Sequence, residues 1–453
     1  MATAELIDVG QRRSHAGHLR PPTLGPGARI HPDDPVGHPA QSGHPPTQIL
    51  CPVGVPAIRH DHDGRPPHRV RPSGAGQEPA EVGGDPGATE TVGGLVTETI
   101  DHGSGAHTTV LPASVVSAVT TSHVGRRQGL ASSLTARAVA LGAADGAAVS
   151  LLGMFEQGFY NRFGFATGSP VPITTFDPSS LLLGDRRARR PTRLGLDDGA
   201  AMSAAMRRRL GHHGRVTLDA PEVMRAEFGF SEQPFALGYR DGDRITHFLA
   251  GNLKDENGPF EITACSYENG EQLLELLALL HELGDQVHSV ELPEPAHLQL
   301  HPLVAEPNRQ RNRSRRGAHE SGTRAVTWWQ LRVNDVPAVV AAHRWVGVPV
   351  EFDLEVADPI DEVLPGDRYG WAGTTGSYRV RLGTESRAER IDRSGAGSLP
   401  VLRAGIGAFS RLWFGVQPAS ALALVGELEG PPGLLAALDD ALLLPTPTPG
   451  QFF

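Results

Sequence analysis

The stretch Ser114–Leu141, SVVSAVTTSHVGRRQGLASSLTARAVAL, decides how the rest of the chain is read. Its first third is rich in β-branched residues, which favour an extended strand. Its last third places Leu130, Leu134, Ala138 and Leu141 on one helical face. Between them stands the basic, glycine-bearing turn Arg126-Arg127-Gln128-Gly129-Leu130-Ala131. Consecutive backbone N–H groups running into a helix N-terminus offer an anion several donors and the positive end of the helix dipole. Glycine lets the backbone approach phosphate oxygens closely, and arginine adds charge-assisted forks. An R-x-x-G-x-A turn alone also fits an ordinary basic strand-to-helix connection. The strand before it and the helix after it favour a phosphate cradle.

Working outward, 91–100 (TVGGLVTETI) and 108–121 read as strands, and 147–154 (AAVSLLGM) as a short buried strand. Strand, basic glycine loop, helix and strand in that order make an α/β unit. Directly after it comes FEQGFYNRFGF, 155–165, with Tyr160 standing 31 residues beyond Gly129. If the anion is the pyrophosphate of acetyl-CoA, transfer of the acetyl group to an amine releases a thiolate. A tyrosine, with an ordinary pKa of about 10, can donate to a thiolate whose conjugate acid lies near ~8.5. Otherwise Tyr160 is a core aromatic beside Phe159, Phe163 and Phe165.

Further along, 215–300 reads as a second α/β region. ITHFLAGNL is a strand, ACSYENGEQLLELLALLHELG a loop and helix, and VHSVELP a strand. Residues 307–323 (PNRQRNRSRRGAHESGT) lack core side chains and read as a linker. From Thr327 onward, the strands WWQLRV, VEFDLEV and SYRVRL precede the helical runs LPVLRAGIGAFSRLWFG and PASALALVGEL, an α+β pattern. Residues 1–89, dense in Pro, His, Arg and Gly, show no period of 2 or 3.6. They read as a disordered or anomalous segment whose composition resembles a GC-rich gene translated out of frame.

The 453 residues carry a formal net charge of -10, which argues against a general nucleic-acid binder. The two cysteines, Cys51 and Cys265, give neither a disulfide framework nor a cysteine-rich zinc site, and they suit a reducing cytoplasm. No secretory signal or membrane-length apolar run is visible. His60-Asp61-His62-Asp63 has metal-ligand residue types, but its proline-rich surroundings speak against a metal site. The Arg309–Arg316 run reads as a solvated linker, and His281 as a structural residue of a leucine-rich helix. There is no P-loop, dinucleotide glycine fingerprint or nucleophile elbow.

VTTSHVGRRQGLASSL followed by FEQGFYNRFGF resembles the Eis (enhanced intracellular survival) family of GCN5-related N-acetyltransferases. In that family an HRRRGLL loop precedes an SE-x-x-IYGRFGYG segment at this separation. The likeness runs from about residue 91 to the C-terminus, through GDQVHSVELPEP at 284–295, WWQLRVNDVPAVVAAHRW at 328–345 and the tail LLPTPTPGQFF. Gly125 and Gln128 stand where the family has histidine and a third arginine, and Phe155 replaces its serine. The first elements of the fold should lie in 1–89, and nothing there resembles them.

The resemblance implies tandem GCN5-type α/β acetyltransferase folds followed by an α+β sterol-carrier-like domain. The corresponding division is 90–200 (catalytic, cofactor-binding), 201–306 (second acetyltransferase-like), 307–326 (linker) and 327–453 (sterol-carrier-like). It implies acetyl-CoA as co-substrate without a metal, a cytoplasmic homo-oligomer (a hexamer), and an aminoglycoside-like or lysine-like primary amine as acceptor. No nucleic-acid or membrane partner is implied. Val119, Thr120 and Thr121 would contact the pantetheine arm through their backbones. Arg126, Arg127, Gln128, Gly129, Leu130 and Ala131 would hold the pyrophosphate, with Phe155 and Glu156 beside the cofactor. Tyr160 would be the general acid, and the α-carboxylate of Phe453 the general base. Pro445, Pro447 and Pro449 would stiffen the tail that carries it. A different class of reading is a non-catalytic ligand- or lipid-binding protein that uses the C-terminal domain.

Overall fold

The computed structural model describes residues 57–58, 91–103, 107–121, 126–154, 156–218, 220–229, 231–296, 298–305, 321–365, 368–392 and 398–453. Phe155, Cys51, the His60–Asp63 group, the Arg309–Arg316 run and nearly all of 1–89 lie outside them.

In chain order the elements are β1 (Ala57–Ile58), β2 (Thr91–His102), β3 (Thr109–Thr121), α1 (Leu130–Ala144), β4 (Val149–Gly153), α2 (Gln157–Asn161), β5 (Ala166–Thr167), β6 (Val171–Phe176) and β7 (Thr192–Arg193). Then come α3 (Gly199–Arg208), β8 (Val216–Leu218), α4 (Pro221–Gly229), β9 (Pro234–Asp241), β10 (Arg244–Leu253), β11 (Phe260–Ser266), α5 (Gly270–Glu282), β12 (Val290–Pro293), β13 (Gly322–Val326) and β14 (Trp329–Val333). The last part comprises α6 (Val336–Ala341), β15 (Val350–Ala357), α7 (Ile360–Val363), β16 (Gly376–Leu382), β17 (Arg387–Ile391), β18 (Val401–Gly405), α8 (Ile406–Trp413), α9 (Ala419–Leu424), β19 (Leu428–Glu429) and α10 (Pro432–Ala441).

These strands form three sheets. The first runs β1-β2-β3-β4-β14-β5 with β8 also on β2, the second β13-β6-β12-β11-β10-β9-β7, and the third β17-β16-β15-β18-β19. Sheet membership departs from the divisions expected at 200, 307 and 327. β6 and β7, from the stretch assigned to the first domain, lie in the second sheet. β8 returns to the first, on β2. β13 falls inside the expected linker yet pairs with β6. Its side chains are mostly exposed, so an edge strand gave no apolar signal. β14, the WWQLRV strand assigned to the third domain, is inserted between β4 and β5. All five of its residues are buried there. Removing side chains the size of Leu331 and Val333 from water contributes about 1.5–3 kcal/mol each, which fixes the strand in that slot. The run LPVLRAGIGAFSRLWFG, expected to be helical, divides at Gly405 into β18, parallel to β15, and α8.

The first and third sheets share one apolar core, in which Leu151, Trp329 and Leu331 join Phe352, Leu354, Phe409 and Trp413. A smaller cluster lies under α1, where Leu134 and Val139 meet Val116, Leu152, Tyr160, Phe163 and Phe165. The α5 leucines Leu276, Leu277, Leu279 and Leu280 close the core of the second sheet with Phe260, Val290 and Leu292.

Candidate active site

β3 and β4 run parallel but pair only through Ala113–Val149, Ser114–Ser150 and Val115–Leu151. β3 continues to Thr121 and β4 to Gly153, so the strands part and leave a V-shaped opening. The closed end is pinned by polar contacts: Ser114 Oγ and Ser150 Oγ are 2.8 Å apart, and Asn334 Nδ2 donates to Ser150 Oγ at 2.8 Å. At the open end, Met154 N–H donates to Trp328 O at 2.7 Å, drawing β4 toward the β14 side. Val119, Thr120 and Thr121 lie on the part of β3 that has left β4; Thr120 and Thr121 still pair with β2, and Val119 sits at the irregularity just before them. Their backbone edge faces the opening.

The basic turn leads from this edge into α1. Arg127 and Gly129 both adopt left-handed backbone, with φ of 66° and 76°. For glycine this conformation is free of the Cβ penalty, and alternating handedness turns successive N–H groups to one side. No side chain caps α1, and no acid stands in its first turn. Arg126, Arg127, Gln128 and Gly129 are exposed, and Leu130 and Ala131 are half-buried. A Cβ at Gly129 would meet no atom of the described residues within 4 Å.

Glu156 is exposed and precedes α2, whose residue Tyr160 is only 3% exposed. The Tyr160 ring packs edge-on against Phe159 at 4.9 Å. Burial, helped by the negative charge of Glu156, pushes its hydroxyl up to about 12. The side chain is therefore both a core aromatic and a hydroxyl that stays protonated across the physiological range.

The C-terminal tail is laid along the first two sheets. Pro447 O accepts from Ser169 Oγ, Thr448 N–H donates to His213 O at 3.2 Å, and Pro449 O accepts from Val216 N–H at 3.0 Å. The buried Arg209 adds a bond from Nη2 to Pro449 O at 3.0 Å. Phe452 and Phe453 bracket Trp328, with ring centres 4.6 and 5.1 Å away. A Cβ at Gly153 would stand 2.5 Å from a main-chain oxygen of Phe453, so only glycine admits this approach. The tail thus brings Phe453 to the end of β4, at the mouth of the opening. Gly153 and Trp328 were missed in the sequence because neither has a reactive group; their part is to leave room and to hold the tail.

The strand–helix–strand unit, with its parted parallel strands and basic turn, lies in a mixed α/β fold similar to that of GCN5-related acetyltransferases. A family model described as an acetyltransferase (GNAT) domain matches residues 104–168, from just before β3 to just beyond β5. Among solved structures, the chain is similar to a GCN5-related N-acetyltransferase from Kribbella flavida, at 21% identity over 80% of this chain and 84% of that one, TM-score 0.58. It is similar to one from Anabaena variabilis ATCC 29413 at 16% identity, covering 80% and 87%, TM-score 0.60. A third is Eis1 from Mycobacterium abscessus, at 20% identity, 80% and 87% coverage and TM-score 0.59. At these identities the likeness is one of fold. No curated protein matches the chain. Among the described residues, no helix is long and apolar enough to cross a membrane, and no group of three or more His, Cys, Asp or Glu could hold a metal ion.

Proposed function

We propose that the chain is an acetyl-CoA-dependent N-acetyltransferase of the Eis type, acting by direct transfer on a primary amine of aminoglycoside-like or lysine-like character. The observation that carries this reading is the parted β3–β4 pair, with an open basic helix N-terminus on one side and Tyr160 and Phe453 near the other. The residues fit the cofactor. The pyrophosphate would lie on the N–H groups from Arg126 to Ala131, in the space beside Gly129 where a Cβ meets no atom of the described residues. The pantetheine arm would continue the sheet along Val119, Thr120 and Thr121, and Glu156 would flank it. Bound there, acetyl-CoA supplies the activated acetyl group.

Tyr160 then serves the leaving sulfur. With its hydroxyl at about 12 and a thiol near ~8.5, complete proton transfer is uphill by about 3–4 units. Its contribution is a strong hydrogen bond to the developing thiolate, held ready without reorganisation. The Phe453 α-carboxylate accepts the amine proton. With an ordinary pKa near ~3.5 it is a weak base in water, so it works through a short hydrogen-bonded relay in a desolvated mouth.

The same reading takes the third sheet as the sterol-carrier-like domain and the enzyme as a cytoplasmic hexamer. Calorimetric titration with acetyl-CoA, followed by thiol release on adding kanamycin or a lysine peptide, tests it. Saturable binding and amine-dependent release are expected. A folded chain that does not bind acetyl-CoA would sink the proposal.

A further inference from the structure

β14 reaches the first sheet from beyond the second, and two of its polar side chains grip the Tyr160 segment. Gln330 and Arg332 are two residues apart, hence on one face of the strand, and both are fully buried. Gln330 Nε2 donates to Asn161 Oδ1 at 3.0 Å, at the end of α2. Arg332 donates through Nη1 to Phe163 O, and Phe163 N–H donates in turn to Tyr160 O at 3.0 Å.

The other arm of the guanidinium is anchored outside the first sheet. Arg332 Nη2 donates to Asp358 Oδ2 at 2.6 Å, and neither side chain is exposed to solvent. Asp358 follows β15 and is itself fixed: Thr374 Oγ1 donates to Oδ2 at 2.6 Å and Ile360 N–H to Oδ1 at 3.1 Å. The Trp371 ring covers the guanidinium at 5.2 Å. Gly164, with φ of 77°, is pressed into this assembly. A Cβ there would lie 2.9 Å from Asp358 Oδ1 and 2.5 Å from Ile406 Cγ2.

An ion pair taken wholly out of water loses the hydration of both charges, and well-packed apolar side chains of like volume often hold a fold as well or better. Stability alone therefore does not account for Arg332 and Asp358. What an apolar pair cannot supply is a directed grip on Phe163 O, one hydrogen-bonded turn from the Tyr160 backbone. We infer that Arg332 is a positioning residue for Tyr160, aimed by Asp358, so that the third sheet sets the geometry of the donor hydroxyl in the first. This rests on the role proposed for Tyr160.

The test compares turnover of acetyl-CoA with kanamycin for Tyr160→Phe, for the paired apolar variant Arg332→Met with Asp358→Leu, and for all three changes together. Acetyl-CoA affinity is measured on each by calorimetry. The paired variant should fold and bind acetyl-CoA as the parent does, lose about tenfold or more in kcat, and cause no further loss when added to Tyr160→Phe. Parent-level kcat in the paired variant, with Tyr160→Phe impaired, overturns the inference and leaves the Tyr160 role standing. Losses that multiply in the triple variant also overturn it, because the pair then acts elsewhere. Parent-level turnover in Tyr160→Phe removes the Tyr160 role and the inference together. Should the paired variant misfold, Arg332→Lys keeps a charge for Asp358 but cannot hold both acceptors in a fork. It should lose kcat with acetyl-CoA affinity unchanged, and parent-level kcat there overturns the inference.

Discussion

Among the described residues, two pairs of parallel strands are joined by a single α-helix, β3–α1–β4 and β11–α5–β12, and they differ where their strands part. Both are joined only at the closed end, through Ala113–Val115 with Val149–Leu151 in the first, and Phe260 and Glu261 with Val290 and Glu291 in the second. In the first, the helix begins on two left-handed residues, with no cap and no acid in its opening turn. In the second, Asn269 accepts the Gln272 N–H at 3.0 Å, Gln272 Oε1 accepts the Glu268 N–H at 2.6 Å, and Glu271 stands in the first turn. The cap already takes one first-turn donor of this helix, and the exposed carboxylate of Glu271 stands where a phosphate would have to lie. Between the parted strands of the second pair lies a cavity of about 70 Å³, walled by Ile262, Cys265 and Pro293 on one side and by Gly450 and Phe452 of the tail on the other. One architecture thus appears twice, and on the function proposed above it is the turn before the helix that distinguishes the copy that receives an anion.

The comparison breaks most sharply at Tyr160. Tyr160→Phe keeps the packing against Phe159 and removes only the hydroxyl. Turnover should fall about 10²–10³-fold with acetyl-CoA binding intact. Unchanged turnover would make Tyr160 a core residue only. The pH dependence follows from its raised hydroxyl, pushed up to about 12 by burial and by Glu156. A tyrosine in the unfolded chain ionises near about 10, so the folded state keeps its proton longer. Stability from this group is whole below about pH 10 and is lost as pH rises from 10 toward 12. Activity should show no alkaline fall due to Tyr160 below about pH 11. A fall centred near 10 that disappears in Tyr160→Phe would contradict the burial seen here.

The tail is next in size. Extending the chain past Phe453 moves the carboxylate away from Gly153 and leaves a neutral amide in its place. Transfer to the amine should drop about a hundredfold, while acetyl-CoA affinity, set at the far side of the opening, stays level. Deleting Phe452 and Phe453 should have the same effect on transfer and also free Trp328. If tagged and untagged proteins turn over equally, the base lies elsewhere.

The first unit was legible because local signals agreed: β-branched residues, a glycine at one of the two turn positions with φ above zero, and leucines at helical spacing all point the same way. Sheet membership was not. Trp329 pairs with Gly153, a contact far along the chain that no local period encodes. β18 and α8 follow one another through an apolar run with glycines at both 405 and 407, so the point where strand gives way to helix could not be read from pattern. The grip of Gln330 and Arg332 did leave a trace, two polar residues at alternate positions of a strand otherwise made of Trp, Leu and Val. That alternation reads as a solvent face until β14 is seen inside a sheet.

At the turn itself, Gly129→Val should reduce acetyl-CoA affinity about tenfold, or 1.4 kcal/mol. Two effects act together. Valine at φ of 76° strains the backbone, and its side chain would enter the space beside the turn where the pyrophosphate is proposed to lie. Calorimetry on the folded variant reads the result, and parent-level affinity would remove this turn from the cofactor site.

The smallest effect is expected in the second unit, where Asn269→Ala removes the cap. Losing a side chain that accepts the Gln272 N–H costs about 1 kcal/mol of stability, as helix caps usually do, and thermal unfolding should detect it. Acetyl-CoA affinity and a stoichiometry of one per chain should not change. Freeing the donor does not make the second copy an anion site, because Glu271 stays in the first turn and Glu268 stays paired with Arg208 and Arg244. The tail also still closes the space between the strands. The parent protein supplies the reverse check: titration should saturate at one acetyl-CoA per chain. Two equivalents would mean that the turn before the helix does not decide which copy binds, and the contrast between the two units would have to be sought in their strands.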